Sequence, residues 1–354
     1  NYLFCKKQNL RQKSLIAKNK NLKIILKHLN NNKIRKSFIE FKKNLNKNNN
    51  FAVAVSGGPD SLALSFLSKC FSLENKSKVK FYTVDHKLRK NSSSEAKLVC
   101  MMLKKIGISC KVLIWRGKKP KSNIQAVARN KRYPLLTGQC KKDNLTSLLL
   151  GHHLDDLYKN FLIRLLRGSG LKGLTSFGNK SEYKVNDINI LRPLMNLEKN
   201  DLIYISKKIF DNYIEDPSNL DENFKRVKIR KLIKNLKQEG LDKEKLKLTI
   251  NNLKDAENSI NFYVKKNIEN NTTFFKNKNT ILVNNIFFDQ PNEIVLRSLS
   301  SLIKIIGGKY YNVRGKSIQI LIKKIKKDEV IKKTTLGRCF IEKFQKTIII
   351  SREN

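Results

Sequence analysis

The chain has 354 residues, enough for a full hydrophobic core and for two or three domains, and its 40% hydrophobic content is ordinary for a soluble protein. Its 74 Lys and Arg against 29 Asp and Glu give a formal charge of +45, which points to a polyanionic partner, because neutralising phosphates releases counterions and favours nucleic acid without reading its sequence. No run of about 18 apolar residues is present, which excludes a membrane-crossing helix of the ordinary kind.

In chain order, residues 1–45 read as a basic N-terminal extension, a solvated leader rather than a targeting peptide, with Leu22, Ile25, Leu26 and Leu29 on one side of a helix. From Phe51 the pattern alternates. FAVAV is a strand, followed by helical spacing from Pro59 to Phe71. KFYTVD (Lys80 to Asp85) precedes a helix over about Ser94–Ile106, and CKVLIW (Cys110 to Trp115) precedes one over about Asn123–Gln139. TSLLLG (Thr146 to Gly151) leads into a helix over about Leu154–Arg167. Short apolar runs separated by helices predict an α/β fold, a parallel sheet with helices on both faces. In such a sheet, ligands lie at the carboxyl ends of the strands.

After Gly168 come a glycine-rich loop, GSGLKGLTSFG, a short strand INILRP, and helical segments to about Gly240, where the first domain, 46–240, closes. Residues 241–354 read as a charged helical linker followed by a small α+β domain. Its helices are placed at Glu293–Ile306 and Lys316–Lys327, and its strands at Thr280–Asn284, Cys339–Glu342 and Thr347–Ser351. Six cysteines stand singly, with neither C-x-x-C nor zinc-like spacing, as expected of free thiols in a reducing cytoplasm. Abundant Lys, Asn and Ile also fit an AT-rich genome, so composition alone does not separate RNA binding from codon habit.

The stretch Ser56-Gly57-Gly58-Pro59-Asp60-Ser61 joins a buried strand directly to a helix. Unpaired backbone N–H groups and the positive end of the helix dipole then surround a cavity suited to an anion. Gly57 and Gly58 allow close backbone approach, and Pro59 suits the first helical turn. No Gly-Lys-Ser/Thr follows, so this is not a Walker A loop, and it is not a G-x-S-x-G elbow either. In place of a lysine the loop carries Asp60, which suits a Mg²⁺ that bridges phosphate oxygens.

SGGPDS resembles the PP-loop of the ATP pyrophosphatases, which cleave ATP between the α and β phosphates and adenylate a substrate oxygen. Six further stretches occur in the order found in the tRNA(Ile)-lysidine synthases: VDHKLRKNSSSEA, ARNKRY, GHHLDD, RLLRGSGLKGL, LRPL and EDPSNLDENFKRVKIR. The C-terminal GKYYNVRGKSIQILIKKI and TLGRCFIE resemble that family's tRNA-binding tail. The resemblance implies an adenine nucleotide alpha hydrolase-like, Rossmann-like catalytic domain. It also implies ATP and Mg²⁺ as cofactors, with a CAU-anticodon isoleucine tRNA and free L-lysine as substrates.

By the same resemblance, Ser56, Gly57, Gly58, Pro59, Asp60 and Ser61 would bind ATP, with Asp60 and Asp156 at the metal. Arg129 or Arg132 would neutralise charge on the α phosphate, and His152, Asp155 and Asp156 would orient metal, ATP or the attacking amine. His86, Arg167, Asp216, Asn219, Arg226 and Arg230 are candidates for contacting the tRNA. Each has a plainer alternative: His86 and His153 as loop-fixing residues, Asp155 and Asp156 as helix-start acids, Arg129 and Arg132 as a solvated face, and Asp216–Asn219 as a turn.

The chain also departs from the family pattern. HHxDD usually continues Gln-Ala-Glu-Thr, whereas this chain has Leu157-Tyr158-Lys159-Asn160, reversing the charge of the acidic residue expected to meet the substrate ammonium. Lys87 and Arg338 each replace a common glycine. The competing readings are a thiolase-like PP-loop enzyme and a non-catalytic basic RNA-binding derivative, and a homodimer is left open.

Overall fold

The computed structural model describes residues 25–46, 50–88, 91–117, 124–177, 184–215, 225–275, 279–308, 313–327 and 333–353. The chain divides into two compact units, 1–246 and 247–354.

The first unit is built on parallel strands β1 (Phe51–Ala54), β2 (Val79–Asp85), β3 (Cys110–Ile114) and β4 (Ser147–Leu149), with β6 (Ile188–Leu191) beyond them and a short edge strand β5 (Lys184–Val185). Their order is β3-β2-β1-β4-β6-β5, and β5 alone runs antiparallel to its neighbour. Side chains alternate across β1: Phe51 and Val53 belong to one apolar cluster, and Ala52 belongs to the other on the opposite face. That two-sided burial is why the strand reads as a continuous apolar run instead of an alternating one.

Four helices supply the first of these clusters: α1 (Asn32–Lys42), α2 (Pro59–Asn75), α3 (Ser92–Lys105) and α7 (Lys199–Phe210). On the other face, Tyr133, Leu136 and Cys140 of α4 (Ile124–Lys142) pack with Tyr82, Leu148 and Ile190. Helices α5 (Leu154–Leu165), α6 (Leu171–Thr175) and α8 (Lys225–Gln238) also belong to this unit.

The second unit starts within α9 (Lys243–Asn271) and has an antiparallel sheet ordered β7-β8-β11-β10-β9. The strands are β7 (Thr272–Phe274), β8 (Thr280–Val283), β9 (Thr334–Thr335), β10 (Cys339–Phe344) and β11 (Thr347–Arg352). Ile281, Ile341 and Ile350 pack against Leu299 and Ile303 of α10 (Asn292–Ile306) and Leu321 and Ile325 of α11 (Gly315–Lys326). Among the described residues no helix is long and apolar enough to cross a membrane.

Three differences from the sequence reading have physical causes. The glycine-rich loop contains the single-turn helix α6, and the strand INIL gains its hairpin partner β5. Helix α1 lies inside the residues read as a leader, yet Ile34, Phe38 and Phe41 are buried in the first unit's core, at a spacing that makes one apolar helical face. Asn31 caps this helix by accepting from the N–H groups of Lys33 and Ile34. The two replaced glycines are also accounted for: Lys87 and Arg338 both sit at positive φ, +53° and +65°, where a side chain costs roughly 1–2 kcal/mol.

Phe41 is 0% exposed, so Phe41→Ala is expected to cost about 3–5 kcal/mol of stability in urea unfolding. A change within about 0.5 kcal/mol is what a solvated leader would give.

Candidate active site

The strand order creates one topological switch. From β1 the chain moves outward through β2 to β3, then returns so that β4 pairs with the other side of β1. The segments leaving β1 and β4 therefore lie side by side at the strands' carboxyl ends, at the switch-point crevice where such sheets hold ligands. Residues 55–61 leave β1 there and residues 150–156 leave β4.

The loop after β1 is shaped by glycine. Gly57 has φ +86°, and a Cβ on it would lie 2.7 Å from Val99 and 2.8 Å from Ile214. Gly58 is the N-cap of α2 and Pro59 its first residue, so the helix opens with no side chain across its N-terminus. The Ser61 hydroxyl accepts from the Ser56 backbone N–H at 3.1 Å and from the Ser56 hydroxyl at 3.2 Å, and donates to the Gly58 carbonyl at 2.9 Å. This closes the turn on itself. The segment is tethered from outside as well, by Ile214 N–H to the Gly57 carbonyl at 2.9 Å and the Ser206 hydroxyl to the Pro59 carbonyl at 2.6 Å.

Gly151 brings the second loop against the first. A Cβ there would lie 3.2 Å from the Asp60 carbonyl carbon and 3.3 Å from Ser61 N. His153 follows as the N-cap of α5, with Asp155 and Asp156 in its first turn. The buried His153 imidazole lies between two carboxylates: its Nε2 is 3.7 Å from Asp60 Oδ2 and 3.5 Å from Asp156 Oδ2. Asp156 also accepts from the His153 backbone N–H at 3.3 Å, and Lys159 Nζ stands 3.6 Å from its other oxygen. Burial of Asp156 opposes ionisation, but His153, Lys159 and His152 outweigh it and hold the carboxyl below its ordinary value.

At the end of β2, Asp85 accepts from the hydroxyls of Ser92 and Ser93 at 2.7 and 2.6 Å and from Lys87 N–H at 2.9 Å. Burial acts against these bonds, but they hold its carboxyl below the usual value. His86 is pushed down, first by burial and then by the nearby charge of Arg132. His152 packs edge-on against Phe177 at 5.5 Å, and Arg192, buried beyond the end of β6, lies 4.9 Å over the same ring.

The structure thus gathers Ser56, Gly57, Gly58, Pro59, Asp60, Ser61, His153 and Asp156, with His152 and Asp155 on the same loop and helix start. His86 and Arg132 form a neighbouring pair at β2. Arg167 is exposed at the end of α5 and is not drawn into this cluster by any described contact. Arg129 falls in α4, and Arg226 and Arg230 fall in α8, with side chains outside the described residues, as are Asp216 and Asn219.

Sequence reasoning missed Lys199, whose Nζ donates to both Asp60 oxygens at 2.7 and 2.8 Å from 139 residues away. It also missed the buried Arg192, although LRPL had been singled out.

Among the described residues no group of three or more His, Cys, Asp or Glu side chains is arranged to hold a metal ion. Two carboxylates facing one crevice nevertheless suit Mg²⁺, which takes one or two protein carboxylates and completes its shell with substrate phosphates and water.

Because its folded value is depressed, Asp156 contributes stability that is complete well above 3.8 and disappears as pH falls through the folded value. The stability gap between wild type and Asp156→Asn should therefore be widest near neutral pH and shrink below 3.8. A gap that widened on acidification in chemical unfolding curves would contradict this.

A family model described as a PP-loop domain matches residues 29–236. The chain is 35% identical over 309 residues to the tRNA(Ile)-lysidine synthase of Wolbachia pipientis wMel, covering 87% of this chain and 71% of that protein. With the tRNA(Ile)-lysidine synthase of Orientia tsutsugamushi strain Boryong it shares 34% over 315 residues, covering 87% and 70%. In fold it is similar to the U34-tRNA thiolase NcsA of Methanococcus maripaludis, solved with its 4Fe-4S cluster, at a TM-score of 0.50 and 18% identity over 58% of this chain and 74% of that one. With the PP-loop geometry in place and these relatives aligned along most of its length, the chain belongs to the tRNA(Ile)-lysidine synthase family.

Proposed function

We propose that the protein uses ATP to activate the wobble cytidine of a CAU-anticodon isoleucine tRNA and joins free lysine to it, forming lysidine with release of AMP and pyrophosphate. The observation that carries this reading is the convergence of Asp60, at the start of α2, with His153 and Asp156, at the start of α5, in the switch-point crevice. Anion-binding backbone and carboxylates there face the same small volume.

The reaction has two parts with different needs. In the first, the cytidine carbonyl oxygen attacks the α phosphate and pyrophosphate leaves. The open N-terminus of α2 and the amides of Gly57 and Gly58 would hold the departing pyrophosphate. Bound Mg²⁺, held by Asp60 and Asp156, would supply charge neutralisation on the phosphates. Arg132, whose charge reaches His86 just beyond β2, the strand beside β1, would oppose charge on the α phosphate.

In the second part an amine displaces AMP and must shed a proton. Asp156 is held ionised too firmly to be an efficient base, since a good base has a pKa near the working pH. Its role in this reading is to anchor positive charge, and proton acceptance is left to the histidines beside it. The excess basic charge and the C-terminal unit would bind the tRNA backbone.

Lys159 bears on the choice of amine. Its ammonium already faces Asp156 and its side chain is only 14% exposed, so a substrate ammonium approaching that carboxylate meets a resident charge of its own sign. Unit charges at about 4 Å interact by about 1 kcal/mol in water and several-fold more near a protein.

The test is incubation of the purified protein with ATP, labelled lysine and CAU-anticodon tRNA transcript. Label entering the tRNA with stoichiometric AMP supports ligation. Adenylated tRNA that takes up no lysine would assign another acceptor reagent, and no AMP at all would leave an RNA-binding protein. Lys159→Glu is expected to lower the KM for lysine roughly tenfold, and an unchanged KM would remove Lys159 from the account of specificity.

A further inference from the structure

The phosphate loop of this family lacks the lysine that a Walker A loop places beside its phosphates, and here Asp60 stands in the loop instead. The structure brings a lysine to the same place by another route. Lys199, the first residue of α7, reaches Asp60 with Nζ at 2.7 and 2.8 Å from the two carboxylate oxygens. Its approach is fixed by three tethers on one short stretch: this ion pair, the Ser206 hydroxyl on the Pro59 carbonyl, and the Ile214 N–H on the Gly57 carbonyl. Helix α7 and the segment after it therefore strap the loop from Gly57 to Asp60.

Asp60 lies between two nitrogen-bearing side chains. On one side is Lys199, and on the other is His153 Nε2 at 3.7 Å. The Lys199 and Asp60 side chains are 33% and 26% exposed, so the pair is partly open to solvent and is not sealed in the core. A fully buried pair of this kind would serve packing alone. An accessible one beside an anion-binding helix start can exchange partners.

We propose that Lys199 is the phosphate-binding lysine of this site, supplied from α7, and that Asp60 stores its charge until the nucleotide arrives. In this view Lys199 neutralises Asp60 in the free protein. With triphosphate and a divalent cation bound, Asp60 would hold the cation and the Lys199 ammonium would reach the β and γ phosphoryl oxygens, the group that departs as pyrophosphate. No proton changes hands, and one ion pair is replaced by two. The inference rests on the ATP-cleaving half of the proposed function and is independent of which amine is joined to the tRNA.

Binding of inorganic pyrophosphate to the full chain, measured by titration calorimetry with and without Mg²⁺, tests this without turnover. Lys199→Ala is expected to weaken pyrophosphate binding and raise the KM for ATP, each roughly tenfold, as loss of a charge-assisted hydrogen bond implies. Lys199→Arg should restore most of both. Asp60→Asn should have opposite effects in the two titrations: tighter pyrophosphate binding without metal, because Lys199 is released, and weaker binding with Mg²⁺.

If the pair were only a structural staple, Lys199→Ala and Asp60→Asn would lower the melting temperature alike and neither would tighten metal-free binding. That result, or unchanged pyrophosphate affinity in a folded Lys199→Ala, overturns the inference. Wild-type protein that binds pyrophosphate through Lys199 yet releases no AMP would sink the functional reading and leave this one standing.

Discussion

The site depends on how closely two backbone turns approach each other at the carboxyl ends of β1 and β4. Gly151 lies so near the Asp60 peptide that a methyl group would press on it, and Gly57 is hemmed in by Val99 and Ile214 at a φ that favours glycine. The missing side chain at Gly151 lets a helix N-terminus and a histidine-capped helix N-terminus lie together. Everything chemical follows from that closeness: Asp60 and Asp156 come within reach of a single imidazole, and Lys199 finds a carboxylate instead of solvent.

Electrostatics at the crevice runs against the protein's overall charge. The chain carries +45, yet its switch-point loops present paired carboxylates, each already matched by a local cation. Such matched pairs are worth little as staples when partly exposed. In the proposed exchange, the Asp60–Lys199 pair would open to let Asp60 take a metal. In the proposed reaction Lys159 would bear on the choice of amine, because its ammonium stands 3.6 Å from Asp156 where the family usually has an acidic residue.

Much of the catalytic fold was legible because parallel strands buried on both faces are short apolar runs, and FAVAV, KFYTVD and SLLL are all of that kind. The two-residue strands were not legible. Lys184–Val185 and Thr334–Thr335 carry no pattern of their own and exist through pairing with Ile188–Asn189 and Phe340–Ile341. The core helix at Asn32–Lys42 did carry a signal, Ile34, Phe38 and Phe41 on one face, but it was masked by the surrounding basic residues. Motif residues around the loops were found from their order along the chain. Lys199 could not be found that way, since a lysine at a helix start looks like any solvated surface residue until the fold carries it to Asp60. The replaced glycines are an intermediate case: the sequence marks Lys87 and Arg338 as departures, and only their positive φ explains why glycine belongs there.

The central claim is that ATP is cleaved where the β4 loop presses on the start of α2. AMP release by Gly151→Ala in the presence of ATP and tRNA tests it most directly, because the added carbon acts on the Asp60 backbone and removes no functional group. Displacing that backbone by a few tenths of an ångström should slow AMP release by roughly tenfold or more while tRNA binding is retained. AMP release at the wild-type rate from a folded Gly151→Ala protein would contradict the account.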